Sequence, residues 1–358
     1  MIILFYINSI HHGGAQRVMI NLADYLSANN FDCVLITSYL DDWEYPVPKK
    51  VKRLSIYSDK KEMGNFIAKN FSLVKKLRNI VKNENADILV SFMGEPNIRS
   101  ILACFGLKTK NIISIRNDPK KEYPNIFMSF LAKVLFNKAD GIVFQTKDEQ
   151  EYFSKRIQKK SKIILNTVDT VFFNTKLSRK RKDIVTTGRL TKQKNHELLI
   201  RAFAEIANDI EDNLFIYGDG ELKDYLQDLI NELHMNNRVF LPGPTHDVVN
   251  VLKDKKLFVL SSDFEGMPNS LMEAMAMGLP CISTDCPCGG PKSIINNMHN
   301  GVLTKVGDVK ELENSIYNLI VDEDKRKSIE DNAKITSKKL FVSEIINEEW
   351  KKYIENIQ

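Results

Sequence analysis

The chain has 358 residues, enough for two domains that each bury a core. Hydrophobic residues make up 43% and charged residues 27%, and no apolar run is long enough to cross a membrane, which excludes disordered and membrane-spanning classes. The net charge of +5 is uneven: residues 1–175 hold 26 basic and 17 acidic side chains, a balance of +9, leaving 25 and 29, or −4, for residues 176–358. A basic first half implies an anionic partner there, and phospholipid headgroups, a lipid pyrophosphate and nucleic acid all qualify by charge.

The opening MIILFYINSIHHGG lacks a basic n-region and a small-residue cleavage site, so residues 2–7 read as a buried strand and not as a signal peptide. In HHGGAQRV (11–18), Gly13 and Gly14 allow a ligand close to the backbone, and the helix start that follows adds positive potential; a plain flexible turn is the alternative. Further strands are expected at CVLIT (33–37), DILVSF (87–92), NIISI (111–115) and GIVFQ (141–145), each followed by helical periodicity. Between them, residues 64–82 have helical period. Phe66, Ile67, Phe71, Val74, Leu77, Ile80 and Val81 make one side apolar, and Lys69, Lys75, Lys76, Arg78 and Lys82 lie mostly elsewhere. Such a helix docks on a sheet, presents its cations to anionic lipid, or does both. Thr146 and Glu149 form a capping box after the fifth strand.

Residues 166–182 are polar, then basic, and read as an interdomain linker. A second strand series follows at 183–188, 213–218, 238–243, 257–262 and 281–284. GRLTKQKN (188–195) comes after the first of these; Arg189 and Lys194 on one loop can hold both phosphates of a nucleotide diphosphate. Gly218, Asp219 and Gly220 after the second lack the third glycine of a dinucleotide fingerprint. EGMPNSLMEAMAMGLPCIST (265–284) places Glu265 on a strand-end loop and Glu273 eight residues on, inside a helix expected from about Pro268 to Met277. The amides of Gly266, Met267, Asn269 and Ser270 then make a helix N-terminus suited to phosphate oxygens. Asp322 and Asp324 form the chain's D-x-D, read as a helix cap and not as a metal site. Cys33, Cys104, Cys281, Cys286 and Cys288 have neither zinc-ligand nor redox-motif spacing, which reads as reduced thiols. Residues 342–357 form a last helix with no strand after it.

Taken in order, GGAQRV, NTVDTVFF, GRLTKQKN, FIYGDGEL, RVFLPG and EGMPNSLME resemble family 4 of the retaining glycosyltransferases over nearly the whole chain. The resemblance implies an α/β GT-B fold: two Rossmann-like domains with parallel sheets facing across a cleft. The bounds are 1–168 for an acceptor domain, 169–341 for a donor domain and 342–358 for a helix packing back on the first. It also implies that Arg189 and Lys194 hold the donor diphosphate beside Gly188 and Gly218, that Glu265 and the loop through Pro268 grip the sugar, and that Glu273 holds the ribose. Gly13 and Gly14 would close over the phosphates, and residues around Val239 and Phe240 would meet the base. Where many members carry a His, this chain has SIRNDP (114–119), so Arg116 or Asn117 stands in its place; Glu95, Asn97, Asn117 and Asp118 are the acceptor-side candidates.

The activity so implied is transfer of a hexose or N-acetylhexosamine, with retention, from a nucleotide-sugar such as a UDP-sugar to a lipid-linked glycan in surface-polysaccharide assembly. No cofactor and no metal are expected, and nucleic acid is not a partner, because no zinc-finger, RNP or helix-turn-helix signature is present. The location implied is the cytoplasm, at the inner face of the cell membrane. A UDP-sugar epimerase of the same fold, using Glu95 and Asp118, and a non-catalytic sugar-nucleotide-binding partner subunit are the rival readings.

Overall fold

The structure, a computed structural model, describes residues 1–11, 13–63 and 66–357; His12, Gly64, Asn65 and the side chains of residues 62–67 lie outside the described residues. Two all-parallel sheets carry the chain. The first runs β3-β2-β1-β4-β5-β6-β7, formed by β1 (Ile2–Ile7), β2 (Asp32–Tyr39), β3 (Lys52–Tyr57), β4 (Ile88–Phe92), β5 (Lys110–Ser114), β6 (Gly141–Phe144) and β7 (Ser161–Ile163). The second runs β10-β9-β8-β11-β12-β13, formed by β8 (Ile184–Thr187), β9 (Leu214–Tyr217), β10 (Val239–Gly243), β11 (Leu257–Leu260), β12 (Cys281–Thr284) and β13 (Val302–Thr304). In both, the order reverses beside the first strand of the series, the topological switch that opens a crevice at the carboxyl ends.

All ten strands expected from apolar runs are present. β3, β7 and β13 were not foreseen, and all three are edge strands. β3 is half-buried along most of its length, and β7 and β13 have three residues each, so neither a continuous apolar run nor a sustained alternation marks them.

The chain divides into two compact units, Met1–Asn166 with Glu344–Gln358, and Thr167–Ser343. The last helix, Ser343–Glu355, is part of the first: Trp350 is buried with its ring 5.7 Å from Phe92, and the Tyr353 hydroxyl accepts from Ile142 N (2.8 Å) and donates to Lys160 O (2.7 Å).

The supposed linker is built into the second unit from Thr167 onward. Asp169 caps a short helix, Thr170–Asn174, whose Phe172 is buried. The amides of Ser178 and Lys182 donate to Lys253 O and Asp254 O, and Arg181 pairs with Glu330 at 2.6 Å. Part of its polar composition thus serves intramolecular bonds, while Lys176, Arg179, Lys180 and Lys182 are exposed.

The helix Phe66–Asn83 docks part of its apolar side: Leu73, Leu77 and Val81 are in the core and Val74 and Ile80 are half-buried, but Phe71 is 75% exposed. Arg78 donates to the carbonyls of Ala103 and Phe105, at the end of the helix Gly94–Cys104, and Lys76 lies over the Tyr57 ring at 3.8 Å. Two of the cations assigned to a lipid surface are therefore held by the protein. Asp322 caps the helix Glu323–Leu340, accepting from Lys325 N. Thr146 and Glu149 make their cap: Thr146 Oγ1 accepts from Glu149 N and Glu149 Oε2 from Gln145 N.

Candidate active site

In the second unit, two loops at the carboxyl ends of β8 and β11 are bonded to each other residue by residue. Asp263 N donates to Gln193 O, Gln193 Nε2 to Phe264 O (3.0 Å), Asn195 Nδ2 to Asp263 Oδ1 (2.7 Å), and Ser261 Oγ to Lys194 O (3.0 Å). This brings Lys194 Nζ to 2.5 Å from Glu265 Oε1, which also accepts from Ser262 Oγ at 2.7 Å. Both members of the pair are largely buried, with side chains 15% and 8% exposed, so the attraction is little screened. Asn195, where the resemblance suggests glycine, adopts the left-handed conformation at φ 43° and caps the helix His196–Ile206 through Leu198 N. Asparagine is the non-glycine residue best suited to that turn.

Arg189 differs from Lys194. Its side chain is exposed and makes no hydrogen bond or ion pair among the described residues, while its carbonyl faces His196 Nε2 at 3.2 Å. Burial and the nearby Lys194 charge press the His196 imidazole down to about 4, so it is neutral at physiological pH.

Next to Glu265 the chain enters the helix Asn269–Met277. Pro268 precedes it in the extended conformation, no side chain caps it, and Gly278 ends it at φ 83°. Gly266, Met267 and Pro268 are buried, Asn269 and Ser270 are partly exposed at its first turn, and Glu273 is buried within it. The amides at such a start carry partial positive charge. The arrangement can therefore take an anion between a helix start and two cations.

The structure adds Pro287, Gly289 and Gly290, which the sequence did not single out. Glu265 N donates to Pro287 O, which fixes the loop after β12 against the site. A Cβ on Gly290 would stand 1.7 Å from Gly266 O, and one on Gly218 would stand 1.8 Å from Gly188 O, so these backbones touch as only glycine permits. Gly289 and Gly290 follow a strand as Gly13 and Gly14 do; that parallel was the available signal.

Val239 and Phe240 are not brought to this site. They sit in register with Leu214 and Phe215, at the amino half of β10, and the Phe240 ring stacks on Phe215 at 5.0 Å. The strand's carboxyl end is Gly243, whose carbonyl accepts from Gly218 N. Ligands meet parallel strands at that end, so the RVFLPG motif was read from the wrong end.

In the first unit, the remaining candidates cluster beyond the adjacent strands β1, β4 and β5. Gly13 precedes the helix Gly14–Ala28, which has no side-chain cap. Glu95 is ion-paired with Arg99, whose guanidinium also reaches Asn8 and Asn70. Asn97 is fully buried, donating to Ser114 O and accepting from Ser91. Asn117 accepts from Asp118 N, and Asp118 caps the turn Pro119–Glu122 through Lys120 N. Arg116 lies flat over Phe92 at 3.7 Å, 5.6 Å from Trp350, and bonds Asn166 at 2.7 Å. Burial lowers its guanidinium to about 9, partly offset by Glu149 and Glu122. Each of these side chains except Asn117 holds secondary structure or core, which leaves an epimerase little to work with on this side.

Among the described residues, no group of three or more His, Cys, Asp or Glu could hold a metal ion. All five cysteines are buried thiols, and burial raises the Cys286 thiol, beside Glu265, to about 12.

Two doubly wound parallel units in one chain are the architecture of the GT-B glycosyltransferases. Anabaena HepE, crystallised with UDP-glucose, superposes with a TM-score of 0.82 at 20% identity, covering 99% of this chain and 100% of its own. Residues 168–336 match the glycosyl transferases group 1 and residues 12–172 match glycosyltransferase family 4. A Campylobacter jejuni N-acetylgalactosamine-N,N'-diacetylbacillosaminyl-diphospho-undecaprenol 4-alpha-N-acetylgalactosaminyltransferase is 30% identical, over 93% of this chain and 94% of its own. An Escherichia coli UDP-Gal:alpha-D-GlcNAc-diphosphoundecaprenol alpha-1,3-galactosyltransferase is 26% identical, over 86% and 85%. The chain belongs to glycosyltransferase family 4.

Proposed function

We propose that this enzyme transfers a hexose or N-acetylhexosamine from a UDP-sugar to a glycan carried on a lipid diphosphate, with retention and without a metal ion, at the inner face of the cell membrane. The observation that carries the reading is the second unit's strand-end loop pair, which sets exposed Arg189, the Lys194–Glu265 pair and an uncapped helix start beside one another. The donor and acceptor classes are supported by the names of the two relatives, one of which uses UDP-Gal and both of which extend a diphospho-undecaprenol-linked glycan.

In this reading Arg189, Lys194 and the amides of Gly266, Met267, Asn269 and Ser270 stabilise the charge that grows on the diphosphate as the anomeric bond breaks. Glu265 orients Lys194 and grips the sugar, and Glu273 holds the ribose. The acceptor hydroxyl attacks the anomeric carbon from the face the diphosphate leaves, and its proton passes to the departing phosphate oxygen. No enzymic nucleophile is required. Arg116 acts from beneath the first unit's loop as a positioning residue, because it stacks on the core.

The test is incubation with a panel of UDP-sugars and a diphospholipid-linked saccharide. UDP release dependent on the acceptor, with an axial linkage from an axial donor by NMR, is the expected result. Release without product, or an inverted linkage, would overturn the proposal.

A further inference from the structure

The most apolar exposed surface of the first unit lies on the helix Ile126–Phe136, where Ile126 is 91%, Phe127 71%, Phe130 66% and Val134 45% exposed. At about 100° per residue these four side chains fall within one arc. The opposite side carries Ala132 and Phe136, which are buried with Ile113, Ile142, Phe144 and Phe153. The helix is therefore firmly seated by one face while it presents a second apolar face to solvent. Asn125 fixes its start by accepting from Met128 N at 2.7 Å. Four such side chains on one face of one helix form a contiguous patch, and a patch of this kind marks an interaction site.

The charge around the patch identifies the occupant. Lys120, Lys121, Lys133 and Lys138 are all exposed, and no acidic residue occurs from Tyr123 to Ala139. Lys120 and Lys133 stand on the walls of a pocket beside Ile126 and Phe130. A two-fold contact with a second copy would bring these lysines against their own counterparts, which disfavours self-association. An apolar ridge rimmed by cations suits a surface that is anionic outside and hydrocarbon beneath. The helix has 11 residues, too few to span a bilayer, so it lies in the interface plane.

We infer that Ile126, Phe127, Phe130 and Val134 insert into an anionic phospholipid surface, with Lys120, Lys121 and Lys138 on its headgroups while Lys133 lies over the Tyr152 ring at 4.5 Å, and that this helix is the membrane-docking element of the enzyme. The inference rests on the lipid-linked acceptor of the proposed function and places its entry on the first unit. The same chain segment leads back through Asp118 and Arg116 to the carboxyl end of β5. It also moves the docking role from the helix Phe66–Asn83, which buries Leu73, Leu77 and Val81, leaves Phe71 as its one strongly exposed apolar side chain among the described residues, and has Arg78 and Lys76 held by the protein.

The experiment uses the full chain with vesicles of phosphatidylcholine alone and of phosphatidylcholine with phosphatidylglycerol. Flotation of the parent with acidic vesicles, at least tenfold above neutral ones, is expected. F127S/F130S should lose at least tenfold in partitioning, with unchanged melting temperature and unchanged UDP release on a water-soluble acceptor. F130W should show a blue-shifted emission on acidic vesicles. Unchanged flotation of F127S/F130S, or no spectral shift in F130W, overturns the inference. A parent that is dimeric by light scattering and becomes monomeric in F127S/F130S also overturns it, in favour of a second copy as occupant. Absence of UDP release in the parent would instead count against the proposed function, so the two failures are separable.

Discussion

Lys194 Nζ lies 2.5 Å from Glu265 Oε1, so one of the two cations proposed for the donor diphosphate is already neutralised by a carboxylate on the facing loop. The other, Arg189, is exposed and unpaired among the described residues. A bound diphosphate therefore competes with Glu265 for Lys194. Replacing Glu265 by Gln keeps the hydrogen-bond acceptor and removes the competing charge. Free UDP should bind about tenfold more tightly to E265Q, while the UDP-sugar gains less because its sugar loses the carboxylate. Calorimetry with both ligands decides; equal gains for the two would refute a sugar-gripping role.

The same pair predicts that two superficially similar substitutions part company in stability. Lys194→Ala leaves a buried carboxylate without its cation, at a cost on the order of 3–5 kcal/mol. Arg189→Ala removes an exposed side chain and should cost under about 0.5 kcal/mol. Both should lower turnover about 10²-fold if each stabilises the leaving diphosphate. Denaturant melts and single-turnover rates measure the two effects separately. Equal loss of stability would contradict the pairing.

Backbone contact at the glycines gives a sharper lesion. Gly290→Ala pushes a methyl group into Gly266 O, and Gly218→Ala does the same to Gly188 O. Either change should displace a site loop and abolish UDP binding, whereas Gly307→Ala, with open space around its Cβ position, should cost some stability through its φ of 76° but leave UDP affinity unchanged. Retained UDP binding in Gly290→Ala would mean that the loop is free to move.

Stability of the first unit should depend on pH through Glu149, which is fully buried. Desolvation raises its carboxyl from 4.5 to about 8. Between those values the folded chain keeps the proton and the unfolded chain loses it, so this group's contribution declines as pH rises from about 4.5 to 8. Glu149→Gln preserves the acceptor for Gln145 N and removes the titration. Its melting temperature should exceed the parent's at pH 8 and match it near pH 4.5. A parallel decline in both proteins would assign the effect elsewhere; Glu122, raised in the same way, is the next group to replace.

Metal independence is directly measurable. If Arg189, Lys194 and the helix start supply the positive charge, acceptor-dependent UDP release should be the same in excess EDTA as in added magnesium or manganese. Full loss in EDTA, restored by either ion, would require a metal in the mechanism.

Much of the architecture is encoded locally. Apolar runs bounded by turn residues, alternating with helical period, are enough to announce two parallel sheets, since strands buried on both faces leave no alternation to decipher. The segments proposed to hold the donor are legible for a related reason: Arg189, Lys194, Glu265 and Glu273 occupy short stretches whose spacing survives any detail of packing. Edge strands such as β13 were not legible, because their partner on one side is solvent and they need no long apolar run. Val239 and Phe240 show another limit. A motif tells which strand meets a ligand, but strand register tells which end.

What the sequence by itself determined is the class: two Rossmann-like units, a family-4 glycosyltransferase, and a cation-bearing loop after the first strand of the second unit. Tertiary structure alone decided which charges are available. Arg189 and Lys194 are equivalent in sequence, yet one is exposed and the other is tied to Glu265; Arg78 and Lys76 look like surface cations, yet one holds two carbonyls and the other covers a ring. The apolar face of Ile126–Phe136 became visible only once the core had chosen its opposite side. Charge and hydrophobicity are properties of residues, but their availability depends on what folds against them, and that is set by contacts between segments far apart in the chain.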